Sequence, residues 1–330
     1  MKIAFILSSP VLSPSNGIVS QALTWKTGLE QLGHEVVLVD MWQKNDWESF
    51  DVIHFYGYGV YMRDLINGLV RINPNIVVSP ILDPHYSVRK LKLYTRWGSA
   101  KLGLTNPYYV MSSIKDKIKL FFVRSEFEKE YMVKGYGVSE DCCIVVPLSY
   151  NVTPPEQVSE REPFCLHISL LMDERKNVKR LIQAAIKYQF KLILGGRLHN
   201  EEDLSTLNSW IGDNKNIEYR GYLSKEEMTS LYSHAKVFAL PSTNEGVGIV
   251  ALEAAALGCD IVMTSWGGPK EYYNGMAHIV NPYSIDEIGK AVKSFLDGET
   301  FQPQLSEHIR THFSMETISN QLVNAYKSIG

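Results

Sequence analysis

Leu240–Gly258 reads LPSTNEGVGIVALEAAALG, and the order of its apolar, polar and glycine residues decides the fold class. The run Val237–Leu240 is a buried strand, a polar loop follows, and Glu245-Gly-Val-Gly248 opens a helix running to Gly258. Strand, glycine loop and helix in that succession form one half of a βαβ unit. Gly246 and Gly248, with Val247 between them, let backbone N–H groups come close to a ligand, and a helix N-terminus favours negative charge there. Glu253 lies eight residues after Glu245, about 80° round the helix at ~100° per residue. Two turns apart, the pair can touch different parts of one elongated ligand. A carboxylate beside a phosphate would repel it, so both glutamates suit sugar hydroxyls better. The plain alternative is one glutamate on the helix dipole and one on the surface. Glu253 stands among Val250, Leu252, Ala254, Ala255, Ala256 and Leu257, however, and a solvated face is rarely so apolar.

The same alternation extends outward over the chain. Lys2–Leu7, Glu35–Asp40, Val52–Phe55, Ile76–Leu82, Leu120–Val123 and Cys143–Val146 read as strands, as do Phe164–Ile168, Lys191–Leu194, Ile217–Arg220, Ile261–Thr264 and His278–Val280. Gly17–Leu32 has helical spacing with Gly33 to end it, and Ser125–Lys134 is a helix stopped by Gly135 and Gly137. Ser224–Glu227 and Ser284–Glu287 are capping boxes. Asn151–Pro163, polar with three prolines, is a linker. Two Rossmann-like α/β domains of similar size follow, with ligands expected in a cleft beyond the carboxyl ends of the strands.

Composition narrows the function. Of 330 residues, 45% are hydrophobic and 21% charged, as in a folded globular protein, and a net charge of −3 argues against a general nucleic-acid binder. No apolar run is long enough to span a bilayer, and MKIAFILSSP is too short for a secretory leader. The four cysteines lack metal-ligand spacing, so a reduced, cytoplasmic setting is expected.

Glu245-x7-Glu253 within EGVGIVALEAAALG resembles the E-x7-E motif of retaining GT-B glycosyltransferases, specifically glycosyltransferase family 4. The resemblance covers nearly all of the second half. Asp173-Glu-Arg-Lys-Asn177 is similar to the family's basic diphosphate segment, Leu194-Gly-Gly196 to the next strand end, and Gly221–Met228 to a helix lead-in. Gly267-Gly268-Pro-Lys-Glu271 resembles the loop after the E-x7-E helix, and Phe313-Ser-Met315 with the helix to Ile329 the terminal crossover. The first half matches through an early glycine loop and histidines at strand ends. The resemblance implies an acceptor domain over 1–150, a linker over 151–163, a nucleotide-sugar domain over 164–311, and a closing helix over 312–330 that returns to the first domain.

It also implies residue roles. Arg175 and Lys176 would neutralise a departing diphosphate; Leu170 and Leu171 stand where many relatives carry a further arginine, which Arg175 would replace. Glu245 would hold the sugar and Glu253 the ribose. Gly246, Val247, Gly248, Gly17 of the Ser13–Gly17 loop and Gly196 would line the donor site, with His85 near the anomeric centre. His54 and Asp83 would face the acceptor. Arg124, Ser125 and Glu126 match a strand end for which a Ser N-cap is explanation enough. No GxGxxG is present, and His308 with His312 has no third metal ligand in view, so neither a nicotinamide cofactor nor a metal is expected.

Residues 86–119 carry eight Lys or Arg against Asp116 alone, interleaved with Tyr86, Tyr94, Trp97, Tyr108 and Tyr109. This is a candidate surface for anionic lipid at the inner face of the membrane, or a loop for the acceptor. The expectation is thus transfer of a sugar, from a UDP-sugar by preference, to a glycan or lipid-linked saccharide in polysaccharide or lipopolysaccharide synthesis. A UDP-sugar epimerase and a non-catalytic nucleotide-sugar module share the architecture. A glycoside hydrolase fits poorly, because it needs two carboxylates flanking one bond.

Overall fold

Both faces of a parallel sheet are covered by helices, so its strands read as nearly continuous apolar runs, and this chain contains twelve of them among its described residues. The computed structural model describes every residue except 8–16, 85, 100, 101, 103 and 155–159. It divides into one unit of Met1–Ser149 with Met315–Gly330 and a second of Tyr150–Ser314.

In the first unit β1 (Lys2–Leu7), β2 (Glu35–Leu38), β3 (Val52–Tyr56), β4 (Ile76–Ser79), β5 (Leu120–Val123) and β6 (Cys143–Val145) pair in the order β2-β1-β3-β4-β5-β6, all parallel. The helices are α1 (Gly17–Gln31), α2 (Met62–Leu69), α3 (Val88–Tyr94), α4 (Pro107–Ile114), α5 (Glu126–Glu130) and the C-terminal Met315–Lys327, which packs on α1. β4 ends three residues earlier than its apolar run suggests. Pro80 has no N–H for the ladder, and Ile81 then turns with φ +53°, a conformation that β-branched residues avoid. The expected helix over Ser125–Lys134 is also shorter: α5 gives way to a π-helical turn, Tyr131–Tyr136, closed by Gly137 at φ +71°. Of the stretch read as a linker, 155–159 lie outside the described residues and Glu162–Pro163 already belong to a strand.

The second unit has β7 (Glu162–Ile168), β8 (Lys191–Gly195), β9 (Ile217–Tyr219), β10 (Ala235–Leu240), β11 (Asp260–Thr264) and β12 (His278–Val280) in the order β12-β11-β10-β7-β8-β9, again all parallel. Its helices are α6 (Val178–Tyr188), α7 (Glu201–Ile211), α8 (Lys225–His234), α9 (Ile249–Ala256), α10 (Ile285–Leu296) and α11 (Gln304–His312). Val178, Leu181, Ile182, Ala184 and Ala185 put the apolar stripe of α6 into the core. Ser224 forms the expected capping box with Glu227. Ser284 caps α10 by accepting from the Glu287 N–H, but Glu287 turns back to the N–H of Asn281 instead (2.8 Å).

From β7 the chain winds through β8 and β9 to one side, then returns to β10 beside β7 and winds the other way. Loops that leave two such neighbouring strands in opposite directions open a crevice at their carboxyl ends. In this unit the crevice is bounded by the segments after Ile168 and Leu240.

Candidate active site

Those two segments are tied together. After β7 a 3-10 turn, Glu174–Lys176, is capped by the Asp173 side chain. Its Arg175 carbonyl accepts from the Thr243 N–H at 2.7 Å. Asn177, at φ +60°, donates through its side-chain amide to the carbonyls of Pro241 (2.9 Å) and Pro282 (2.6 Å), joining the loops after β10 and β12 to the start of α6. The result is an ion pair across the crevice: Lys176 Nζ lies 2.7 Å from Glu245 Oε2, with 20% and 12% of the two side chains exposed. Ser242 Oγ donates to the same oxygen at 3.1 Å.

Glu245 does not open the helix. It lies in the loop, and α9 begins only at Ile249, because Gly248 at φ +74° is its N-cap. The angular spacing expected from a shared helix therefore does not apply to Glu245 and Glu253. Close packing holds the loop in place. A Cβ on Gly267, already at φ +94°, would fall 2.3 Å from the Glu245 carbonyl oxygen, so only glycine lets that loop lie against Glu245. Gly196, at φ +146°, is pressed in the same way on the Ser169 carbonyl, 1.9 Å from where a Cβ would sit. Gly246, Val247 and Gly248 lead into α9, whose first turn presents N–H groups with no partner inside the helix.

Beneath Lys176, His167 is wholly buried, with Nδ1 2.7 Å from the Ala239 carbonyl and Nε2 2.7 Å from Ser169 Oγ. Burial pushes its pKa down to about 4, and the Lys176 charge adds to that, so the ring is neutral near pH 7. Arg175 folds its guanidinium onto Asp173, Nη2 to Oδ2 2.6 Å. Glu253 lies inside α9 with 9% of its surface exposed. Burial raises its pKa to about 7, against the opposing pull of the Asn151 N–H and the Lys225 charge. Lys176, Glu245, Gly248 and Gly196 thus lie on loops at the carboxyl edge of one sheet, while Glu253 is recessed within the following helix.

The first-unit residues fare differently. His54 is not on an open strand end. It sits two residues inside β3, fully buried, with Nδ1 2.7 Å from the Tyr326 hydroxyl and Nε2 2.8 Å from Ser79 Oγ. Tyr56 stacks on its ring at 4.2 Å between centroids, so no acceptor reaches it; this is a satisfied core histidine. Asp83 pairs with Arg124 at 2.8 Å and keeps 38% of its side chain exposed. Arg124 also bonds Glu128, and Ser125 caps α5 as expected. His85 and most of the Ser13–Gly17 loop lie outside the described residues. Gly17 begins α1, and an added Cβ there would meet nothing among the described residues.

The basic-aromatic segment also divides. Tyr86, Tyr94 and Tyr108 are half-buried and pack on one another, with centroids 5.6 to 5.8 Å apart. Lys115 and Lys117 are engaged by the Gly137 carbonyl and Asn67. Arg89, Lys90, Lys92 and Arg96 remain exposed beside Leu93 and Trp97. Asn177, Ser242, His167 and Gly267 were missed as site residues. Only the Asn closing DERKN and the paired glycines at 267 and 268 signalled any of them.

Residues 153–312 match the model of the family described as glycosyl transferases group 1. The O-antigen chain mannosyltransferase B of Escherichia coli is 25% identical over 240 residues, 64% of this chain and 61% of that protein. Among solved structures, a glycosyltransferase from Rickettsia africae aligns over 99% of this chain and 98% of its own, with TM-score 0.73 and 15% identity. The Anabaena protein HepE, solved in complex with UDP, aligns over 99% and 100% with TM-score 0.72 and 17% identity. The two parallel sheets and their helices are therefore the fold of GT-B glycosyltransferases. The chain spans 61% or less of the length of the first curated relatives it matches. Among the described residues no helix is long and apolar enough to cross a membrane.

Proposed function

We propose that this protein is a retaining glycosyltransferase that moves a sugar from a nucleotide-diphosphate sugar to a hydroxyl of a glycan or lipid-linked saccharide. The observation that carries the reading is the Lys176–Glu245 pair at the crevice between β7 and β10. A lysine has three donors, so with one held by Glu245 it still has two for a diphosphate. The carboxylate, oriented by Lys176 and Ser242, is suited to accept from sugar hydroxyls. As the glycosidic bond to the donor breaks, charge builds on the β-phosphate, and a cation fixed beside it lowers the barrier. Arg175 would assist once drawn from Asp173, and the α9 N-terminus with Gly246, Val247, Gly248 and Gly196 would lie along the phosphates. Glu253 would hold the ribose, His85 would steady the developing positive charge on the sugar, and Gly17 and Asp83 would serve from the first unit. The acceptor would attack the face from which the diphosphate leaves, and the β-phosphate would take its proton.

A UDP-sugar is favoured by the likeness to a UDP-bound structure. The mannosyltransferase relative instead directs attention to mannose and to O-antigen or other polysaccharide acceptors. A thermal-shift screen of UDP-, GDP- and ADP-sugars tests the donor, because a bound donor raises the midpoint by mass action. Release of nucleoside diphosphate should require an acceptor and persist in EDTA. Diphosphate released without acceptor would point to a nucleotide-sugar hydrolase. A donor converted to an isomeric nucleotide sugar with no diphosphate released would point to an epimerase, and loss in EDTA would sink the metal-free mechanism.

The exposed α3 region supports a peripheral membrane site. Leu93 and Trp97, 59% and 73% exposed, and nearby in sequence Leu102 and Leu104, 74% and 60% exposed, accompany the four cations. Each cation near an anionic surface is worth ~1 kcal/mol. Replacing Lys90, Lys92 and Arg96 by Gln should weaken sedimentation with phosphatidylglycerol vesicles by roughly a hundredfold in partition coefficient. Unchanged sedimentation would leave the segment to the acceptor.

A further inference from the structure

In the first unit, a cavity of about 180 Å³ opens beyond the carboxyl ends of β3 and β4. Tyr58, Tyr86, Tyr108, Tyr131 and Tyr136 wall it, with Asp83 among them. Tyr58 follows β3, Asp83 follows β4, Tyr108 lies on α4, and Tyr131 and Tyr136 bound the π-helical turn. Tyr86 stands edge-on to Tyr108, with centroids 5.8 Å apart.

This is not how a closed core is built. Tyr131 donates its hydroxyl to the Tyr86 carbonyl at 2.7 Å, but the other four phenols bring hydroxyls to a place where leucine or phenylalanine would pack as well without a polar atom to satisfy. Tyr136 is 3% exposed, and its hydroxyl has no hydrogen-bond partner among the described residues. The wall holding Asp83 is also over-determined. Ile81 is forced to φ +53° just before it. Arg124 Nη2 binds the Leu82 carbonyl and Asp83 Oδ1, each at 2.8 Å, while the buried Glu128 receives the Leu82 and Arg124 N–H groups. A β-branched residue held in the left-handed region by such a network marks a position set for a task.

The chemistry selects the ligand. An acyl chain would bury the carboxylate and hydroxyls without partners. A phosphate would meet Asp83, with the local Arg124 already shared between Asp83 and Glu128. A pyranose has an apolar C–H face for an aromatic ring and a rim of hydroxyls that both donate and accept, as phenols do. Burial, and after it the neighbouring tyrosines, push the pKa of Tyr58 and Tyr136 above the ordinary phenol value, keeping both as neutral donors.

We propose that this cavity is a monosaccharide subsite, seating one hexose ring against Tyr108 and Tyr86 with its hydroxyls bonded to Asp83 and the phenols. That the ring is the terminal sugar of the acceptor rests on the glycosyl-transfer reading above; that the cavity takes a sugar does not.

Saturation-transfer NMR on the full chain with methyl α-D-mannopyranoside and methyl α-D-glucopyranoside tests it, alongside Tyr108→Leu, which removes a ring, and Tyr58→Phe, which removes only a hydroxyl. The wild type should saturate the ring protons of at least one glycoside. Tyr108→Leu should weaken binding about tenfold, the scale of one lost aromatic contact, and Tyr58→Phe severalfold. In turnover assays the same substitutions should raise the KM for a saccharide acceptor more than that for the donor. Should Tyr108→Leu not fold, Tyr58→Phe decides. Equal binding by wild type and variants, or no glycoside binding by a wild type that transfers sugar, overturns the subsite and leaves the transferase reading intact. Binding lost in the variants, in a protein that turns over no donor, overturns the transferase reading and leaves the sugar site.

Discussion

Lys176→Met should lower kcat by about 10²- to 10³-fold, the cost of removing one fixed group that stabilises charge in a transition state. The loss should appear in kcat more than in donor KM, because the charge on the β-phosphate grows as the bond breaks. Lys176 also neutralises Glu245, whose side chain is only 12% exposed, so the single substitution leaves a half-buried carboxylate alone. Some fall in melting temperature is therefore expected, which would confuse a catalytic role with a structural one. The double variant Lys176→Met/Glu245→Gln restores neutrality and should recover most of the lost stability. Turnover that stays lost in it shows that instability is not the cause, although two groups of the site are then altered. Lys176→Met with kcat within a few-fold of wild type would remove the lysine from the chemistry.

Glu253→Gln should make the protein more stable at pH 8 than the wild type and no more stable at pH 4. Burial raises this carboxyl to about 7 in the folded chain, against an ordinary 4.5. The folded state therefore keeps a proton that the unfolded state gives up. Between those two values the native protein binds more protons, so its stability falls as pH rises. The whole interval amounts to about 3 kcal/mol at most, using 1.36 kcal/mol per unit. Glutamine does not titrate and lacks that slope. Urea unfolding at pH 4, 6 and 8 reads the difference directly. If Glu253 is retained to hold a ribose, the stabilised variant should bind nucleoside diphosphates more weakly, the exchange of stability for function seen where a buried charge serves a ligand. A variant with no gain at pH 8 would mean that the wild-type carboxylate is already well solvated or paired.

Much of the fold was legible because its signals are local. Apolar runs bounded by glycine and proline, and Ser224 three residues before Glu227, act within a few residues of themselves. Where a local rule had a stronger local rival the reading slipped. Pro80 cut β4 short, and Gly248, at φ +74°, kept Glu245 out of the helix that its neighbours begin. His54 shows a different failure. A strand covered on both faces has no period-two pattern to say which side a polar residue meets, so a core histidine bonded to Tyr326, 272 residues away, looked like a site residue. The tyrosine-lined cavity was invisible for a related reason: Tyr58, Tyr108 and Tyr136 come from three separate elements, and in sequence each is an ordinary aromatic.

By itself, then, the sequence determined the succession of strands and some of the helices, α8 with its Ser224–Glu227 cap among them. Pairing Lys176 with Glu245, 69 positions on, was left to the tertiary structure, as was seating Asn177 between two prolines on separate loops. The reason is topological. Strand order within the second sheet reverses between β7 and β10, and only that reversal brings the two loops side by side.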